Sequence, residues 1–163
     1  MRTVIGVMGG AAASEAVMRD AHEIGRLIAQ HGHVLVNGGR DAGVMAASAR
    51  GAAEAGGLVI GILPGNSKHG ASPHLDVAIP TGMGDARNAI NVLASDVVVA
   101  LPGGAGTISE VALALKSGRS VITLGFTLGA EFDLFRAAGS LVDADTPAEA
   151  IALVARIISE AGR

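Results

Sequence analysis

A chain of 163 residues is long enough for one domain with a substantial core. Half of it is apolar, yet it holds three Phe, no Trp and no Tyr, so that core is built from small and branched aliphatics. A net charge of −3 with no basic block argues against a nucleic-acid partner, and the absence of cysteine excludes disulfides and thiolate metal sites.

In chain order, the first predicted strand is "TVIGVM" (3–8), followed by the glycine-rich turn "GGAAAS" (9–14). Ser14 to His31 then places Ala16, Val17, Ile24, Leu27 and Ile28 near a 3.6-residue spacing, a helix stopped by Gly32. The strand "HVLVN" (33–37) leads into a second glycine turn, "GGRDAG" (38–43), and a helix over 44–56. Strands "LVIGIL" (58–63) and "LDVAI" (75–79) precede "TGMGDARN" and a helix over 85–95. "DVVVAL" (96–101) runs into the densest turn, "GGAGT" (103–107), and a helix over 108–118. "SVITLG" (120–125) is the last predicted strand, and residues 131–140 carry no clear periodicity. "TPAE" opens a final helix with a cap at Thr146, a first-turn proline and a capping box closed by Glu149.

Several of these strands are apolar on successive residues, which means burial on both faces and a parallel sheet. Strand and helix alternate throughout, so the expected fold is α/β: one domain over 1–163 with a doubly wound, mainly parallel, Rossmann-like sheet flanked by helices. Right-handed crossovers bring the turns after the strands to one edge, where ligands bind in such folds. The start "MRTVIGVMGG" has too short an apolar run for a signal peptide, and no stretch is long enough to span a bilayer. A cytoplasmic protein without a membrane partner is expected.

Three glycine turns that each feed a helix predict an anion site, because a helix start offers free N–H groups and a positive dipole end. None is a Walker loop and none is a full G-x-G-x-x-G. Glu110, one turn into the helix after the densest turn, has two readings. It closes a capping box with Thr107, or it points into the cleft toward a hydroxyl, a water or a developing positive charge. A cation is expected to balance a bound phosphate, with Arg87 the first choice and Arg40 the second. His31 and His33 straddle a helix end and a strand start and are expected to point apart. No histidine pair has metal-binding helical spacing, so no metal site is predicted. The helix from Ile108 is apolar nearly all round, through Val111, Ala112, Leu113, Ala114 and Leu115. It is expected to pack, with the helix from Asp85, against a second subunit, giving a dimer or tetramer. The alternative is a core helix covered by 131–140.

"PGGAGTISE" resembles the P-G-G-x-G-T-x-x-E signature of the Lonely Guy (LOG) proteins, once labelled lysine decarboxylases. "GGRDAGVM" resembles their second glycine motif, and "GDARN" lies where they carry an arginine. The resemblance runs from "VIGVMGG" to about residue 125. Within this superfamily, which also holds the DNA-processing protein DprA, the chain is most similar to a small branch that includes the molybdenum-cofactor carrier proteins. That branch has "NGGRDAGVMAASARGAAEAGGLVIGILPG" and "IPTGMGDARN" almost unchanged. LOG enzymes release the base of a nucleoside 5′-monophosphate with an arginine and the final glutamate of the signature, positions that match Arg87 and Glu110. They typically place lysine after that arginine and an acid before that glutamate, where this chain has Asn88 and Ser109. The carrier proteins bind a phosphorylated, molybdenum-bearing pterin without turning it over.

The resemblance implies a ligand site built from Gly9, Gly10, Gly38, Gly39, Arg40, Gly43, Arg87, Asn88, Gly103, Gly104, Ala105, Gly106, Thr107 and Glu110. The expected function is binding of a phosphorylated small molecule, a nucleotide or the molybdenum cofactor, by a carrier-type protein that needs no cofactor of its own. The alternative is a phosphoribohydrolase of nucleoside 5′-monophosphates. No motif for a pyridoxal phosphate lysine supports a decarboxylase.

Overall fold

The structure is a computed structural model and describes residues 1–162. Seven parallel strands form one sheet: β1 Val4–Met8, β2 Val34–Asn37, β3 Leu58–Leu63, β4 Val77–Pro80, β5 Val97–Ala100, β6 Ser120–Leu124 and β7 Leu141–Ala144. Their spatial order is β4-β3-β2-β1-β5-β6-β7, so the sheet is wound outward in both directions from β1 and β5. The connecting helices are α1 Glu15–Gln30, α2 Gly43–Glu54, α3 Asn88–Leu93, α4 Ala105–Lys116, α5 Asp133–Ala137 and α6 Pro147–Ala161, with 3-10 turns at Gly84–Arg87 and Ala130–Phe132.

The β-branched runs fill both faces of the sheet as their pattern predicts. Ile5, Val7, Leu35, Val59, Val97 and Val99 pack with Ile24 and Ile28 of α1 and Val154 of α6. Met8, Val98, Ala100 and Val121 face the other way, against Val92 of α3, Val111 and Leu115 of α4, and Phe132. Ser14 caps α1 by accepting from the Val17 amide at 3.3 Å, and Thr146 caps α6 by accepting from the Glu149 amide at 3.2 Å.

Three expectations change. The segment 131–140, without a periodicity of its own, folds into a 3-10 turn and α5, and Phe132 and Phe135 lie on the α4 side of the core. β7 escapes the sequence reading because its four residues include Asp143, whose carboxylate accepts from Thr123 Oγ1 and from Arg136 Nε. His31 and His33 do not point apart. Their rings lie nearly parallel, 16° between planes and 6.4 Å between centroids, because the chain reverses through Gly32 at φ 76°. Among the described residues no helix is long and apolar enough to cross a membrane.

Candidate functional site

β1 and β5 are neighbours whose following helices leave toward opposite faces of the sheet. Their C-terminal ends therefore define the switch point of the fold, where a crevice opens. The turn after β1 and the turn after β5 meet there, with the Gly10 amide donating to the Pro102 carbonyl at 3.1 Å. The turn after β2 joins them, since the Val44 amide donates to the Gly10 carbonyl at 3.0 Å. A small cleft of about 200 Å³ lies between the three turns.

Most of the predicted residues line it. Gly9 and Gly10 come from the first turn, Gly38 and Arg40 from the second, and Gly104, Gly106, Thr107 and Glu110 from the third and its helix. Arg87 and Asn88 close it from the end of the 3-10 turn and the start of α3. Gly39, Gly43, Gly103 and Ala105 are not in its wall. Gly43, at φ 49°, starts α2 so close to the Gly10 and Ala11 carbonyls that no side chain fits. Gly103 lets the Thr107 hydroxyl and the Gly10 amide approach its backbone in the same way. Gly39 sits against Gly61 of β3, and Ala105 lines a neighbouring groove.

The three helix starts are not equivalent. Ser14 occupies the start of α1, and the Gly10 carbonyl takes the Val44 amide of α2. α4 begins at Ala105 with Gly104 as its cap and no side chain satisfying its first amides. The first amides of α4, those of Gly106 and Thr107 in the cleft wall and that of Ala105 at the neighbouring groove, therefore have no side-chain partner, a ready anion cradle. α4 starts earlier than the sequence pattern predicts, which puts Thr107 inside the first turn and removes the capping-box reading of Glu110.

Glu110 instead lies 6% exposed beside Arg87, 7% exposed. Its Oε1 accepts from Arg87 Nη1 at 3.3 Å and from Asn91 Nδ2 at 2.9 Å. Burial holds the Glu110 carboxyl above its ordinary range, against the opposing pull of Asn91 and Arg87. Burial likewise lowers Arg87, opposed by Glu110 and reinforced by Arg40. Arg87 is thus already matched by a carboxylate. Arg40 is exposed at the cleft with no carboxylate in salt-bridge distance among the described residues, which reverses the order of the two cations as free partners for an anion.

Asn91 was not visible as a site residue. Its only sequence signal is the i,i+4 spacing from Arg87 within a helix that is apolar after Asn88 but for this residue. Asp85, Met8 and Met45 also line the cleft without having been read from sequence. Asn88 and Ser109, the two departures from the LOG pattern, touch each other: Asn88 Nδ2 donates to Ser109 Oγ at 3.4 Å, and Ser109 donates to the Gly106 carbonyl at 2.7 Å. A larger groove of about 630 Å³ lies between the exposed flanks of α1 and α2. Among its side chains Glu15 pairs with Arg19, and His22 and Arg50 with Glu54, while the α2 start at Ala42 and Gly43, whose Val44 amide is taken by the Gly10 carbonyl, lies on its edge.

A doubly wound parallel sheet with a glycine-walled crevice at its switch point defines a Rossmann-like α/β protein. Residues 2–151 match the SLOG cluster4 family, and the chain belongs to that family. The molybdenum cofactor binding protein of the phototrophic bacterium Rippkaea orientalis superimposes with a TM-score of 0.90 at 45% identity, over 97% of this chain and 98% of that one. The molybdenum cofactor carrier protein of Chlamydomonas reinhardtii does so with a TM-score of 0.89 at 44% identity, over 98% and 99%. An uncharacterized protein of Archaeoglobus fulgidus is 50% identical over 120 residues, 74% of this chain and 78% of the relative.

Proposed function

We propose that this protein is a carrier-type binding protein for the molybdenum cofactor, held by its phosphate on the α4 start. The observation that carries the reading is the α4 start at the switch point, which no side chain caps, with Arg40 beside it and unpaired with any carboxylate among the described residues, in a chain similar over nearly its whole length to proteins of that kind. The phosphate takes the Ala105–Thr107 amides and Arg40. A cleft of about 200 Å³ is too small to bury a whole pterin or nucleotide, so the rest of the ligand extends into the adjoining groove between α3 and α4, which shares Asp85, Asn88 and Gly106 with it.

The hydrolase alternative places Arg87 and Glu110 as the catalytic pair. Two observations favour binding over turnover. The Glu110 oxygen Oε1 is already occupied by Arg87 and Asn91. The charged residues expected beside this pair are replaced by the neutral contact of Asn88 with Ser109. The test is to mix the protein with the released cofactor, pass it through a gel-filtration column and assay molybdenum and pterin in the protein peak, with a parallel incubation with AMP. Cofactor retained with the protein and no free adenine is the expected result. Free adenine with no retained cofactor would establish the hydrolase instead.

The assembly belongs to the same reading. On the flank away from the sheet, Leu93 is 57% and Ile108 41% exposed, with Ala89 and Leu113 half-buried between them. We infer that a second copy covers the Leu93 and Ile108 part of this face, with the end of the groove at Asp85, Asn88 and Gly106 left to the ligand.

A further inference from the structure

The Arg87–Asn91–Glu110 cluster contains more than the ion pair needs. Asn91 has no exposed surface, and its Nδ2 donates to the same Glu110 oxygen that Arg87 already occupies. With two donors, Oε1 is filled. Among the described residues no donor reaches Oε2, and this oxygen is not among the fully enclosed unpartnered atoms, which are Arg87 Nε, Asn91 Oδ1 and Arg119 Nε. Glu110 lines the cleft, so Oε2 is its open atom. The backbone that carries Asn91 is tied down, since its carbonyl accepts from Ser95 Oγ at 2.7 Å one turn further along.

We propose that Asn91 is a positioning residue that makes Glu110 a one-oxygen acceptor, so that the bound ligand places a single N–H or O–H donor at Oε2 and its phosphate elsewhere. This rests on the cofactor-binding reading above and adds the orientation of the ligand. A phosphate is kept from Oε2 because a carboxylate and a phosphate are both anionic and both acceptors. A two-donor fork, of the kind a guanidinium-like edge offers, finds only one of the two oxygens it needs. A ligand that reaches both the α4 amides and Oε2 is a phosphate ester carrying a donor on the moiety next to the ester. Without Asn91, Oε1 keeps only the Arg87 donor and regains a lone pair, and this selection is lost.

The test uses full-length protein, the molybdenum cofactor and inorganic phosphate as probes, and Asn91→Leu, which keeps the volume and removes the donor. The charged and titratable groups facing Glu110 are Arg87 and Asp85 on the 3-10 turn and Arg40 on the β2–α2 turn, and all stay in place. Cofactor binding needs the ionised carboxylate, so in the wild type it weakens as pH falls through the Glu110 transition. Asn91→Leu is expected to move that midpoint upward by about one pH unit, the worth of a hydrogen bond to a charged acceptor. Phosphate binding should keep its wild-type midpoint. A weakening that is equal at every pH, with no shift of midpoint, marks a purely structural residue and overturns the proposal. If Asn91→Leu does not fold, the isosteric Asn91→Asp takes its place and should raise the midpoint further, because two carboxylates then share the site. If the wild type binds phosphate but not the cofactor, the cargo reading fails by itself. The carboxyl ¹³C titration of Glu110 then decides this inference: a higher midpoint in the variant supports it, and an unchanged one overturns it.

Discussion

At the residue scale, Glu110 shows how a cleft residue and a structural residue become one. A side chain that only served a ligand would be removable without cost to folding. Glu110→Ala, however, strips Arg87 and Asn91 of their common acceptor inside the protein. It is therefore expected to lower unfolding free energy by about 3 kcal/mol, measured by denaturant titration, in keeping with the cost of leaving buried donors unpaired. Glu110→Gln keeps an acceptor oxygen and should remain close to wild type at neutral pH. The two proteins separate in acid. Burial raises the carboxyl in the folded state, so the folded protein holds this proton more tightly than the unfolded chain, whose value is near 4.5. The contribution of Glu110 to stability then falls as pH rises from about 4.5 through the raised value, and recovers on acidification through the same window. Glu110→Gln should lack that recovery. An identical pH dependence of stability in the two proteins would contradict the assignment of a raised carboxyl.

At the element scale, most of the architecture is legible in the chain and the exceptions have physical causes. Strands buried on both faces announce themselves as unbroken β-branched runs, which is why β1, β2, β3, β5 and β6 are readable. Their ends are trimmed by side chains that cap a neighbour: Asp96 accepts from the Val4 amide, and Asp76 from the Val59 amide, both at 2.8 Å. β7 and α5 are short, and tertiary contacts rather than a period of their own hold them in place. In the candidate site, the glycine turns and the two arginines are readable because backbone approach and charge demand particular residue types. The pairing of Arg87 with Glu110 is readable only through the LOG resemblance, and that Asn91 joins them is not readable, because it depends on α3 packing beside α4. The α1–α2 pair gives a test at this scale. Gly25 of α1 faces the Ser48 carbonyl and Gly51 of α2 faces the His22 carbonyl, each too near for a methyl group. Gly51→Ala would gain helix propensity of about 1 kcal/mol if exposed. Here the backbone clash should dominate, and a net loss of about 1–3 kcal/mol is expected in thermal or chemical unfolding. A stabilised Gly51→Ala protein would show that the two helices are not packed this closely.

At the scale of the whole molecule, the two faces of the sheet have different fates. The face under α1, α2 and α6 is closed within the chain, whereas α3 and α4 leave an apolar outer flank that α5 does not cover completely. Leu93→Glu together with Ile108→Glu should convert the assembly to monomers in light scattering while the circular dichroism spectrum stays that of the wild type. A wild-type protein that already scatters as a monomer at micromolar concentration would contradict a second copy on this flank. On the proposed reading, function at this scale depends on where the uncapped α4 start lies, because that determines where an anionic cargo is held. The most direct test is a crystal structure of the protein with the molybdenum cofactor bound. The phosphate is expected on the amides of Ala105, Gly106 and Thr107 within reach of Arg40, with the ring system extending toward the α3–α4 groove. Phosphate density in the groove between α1 and α2, or at the opposite edge of the sheet, would contradict the account.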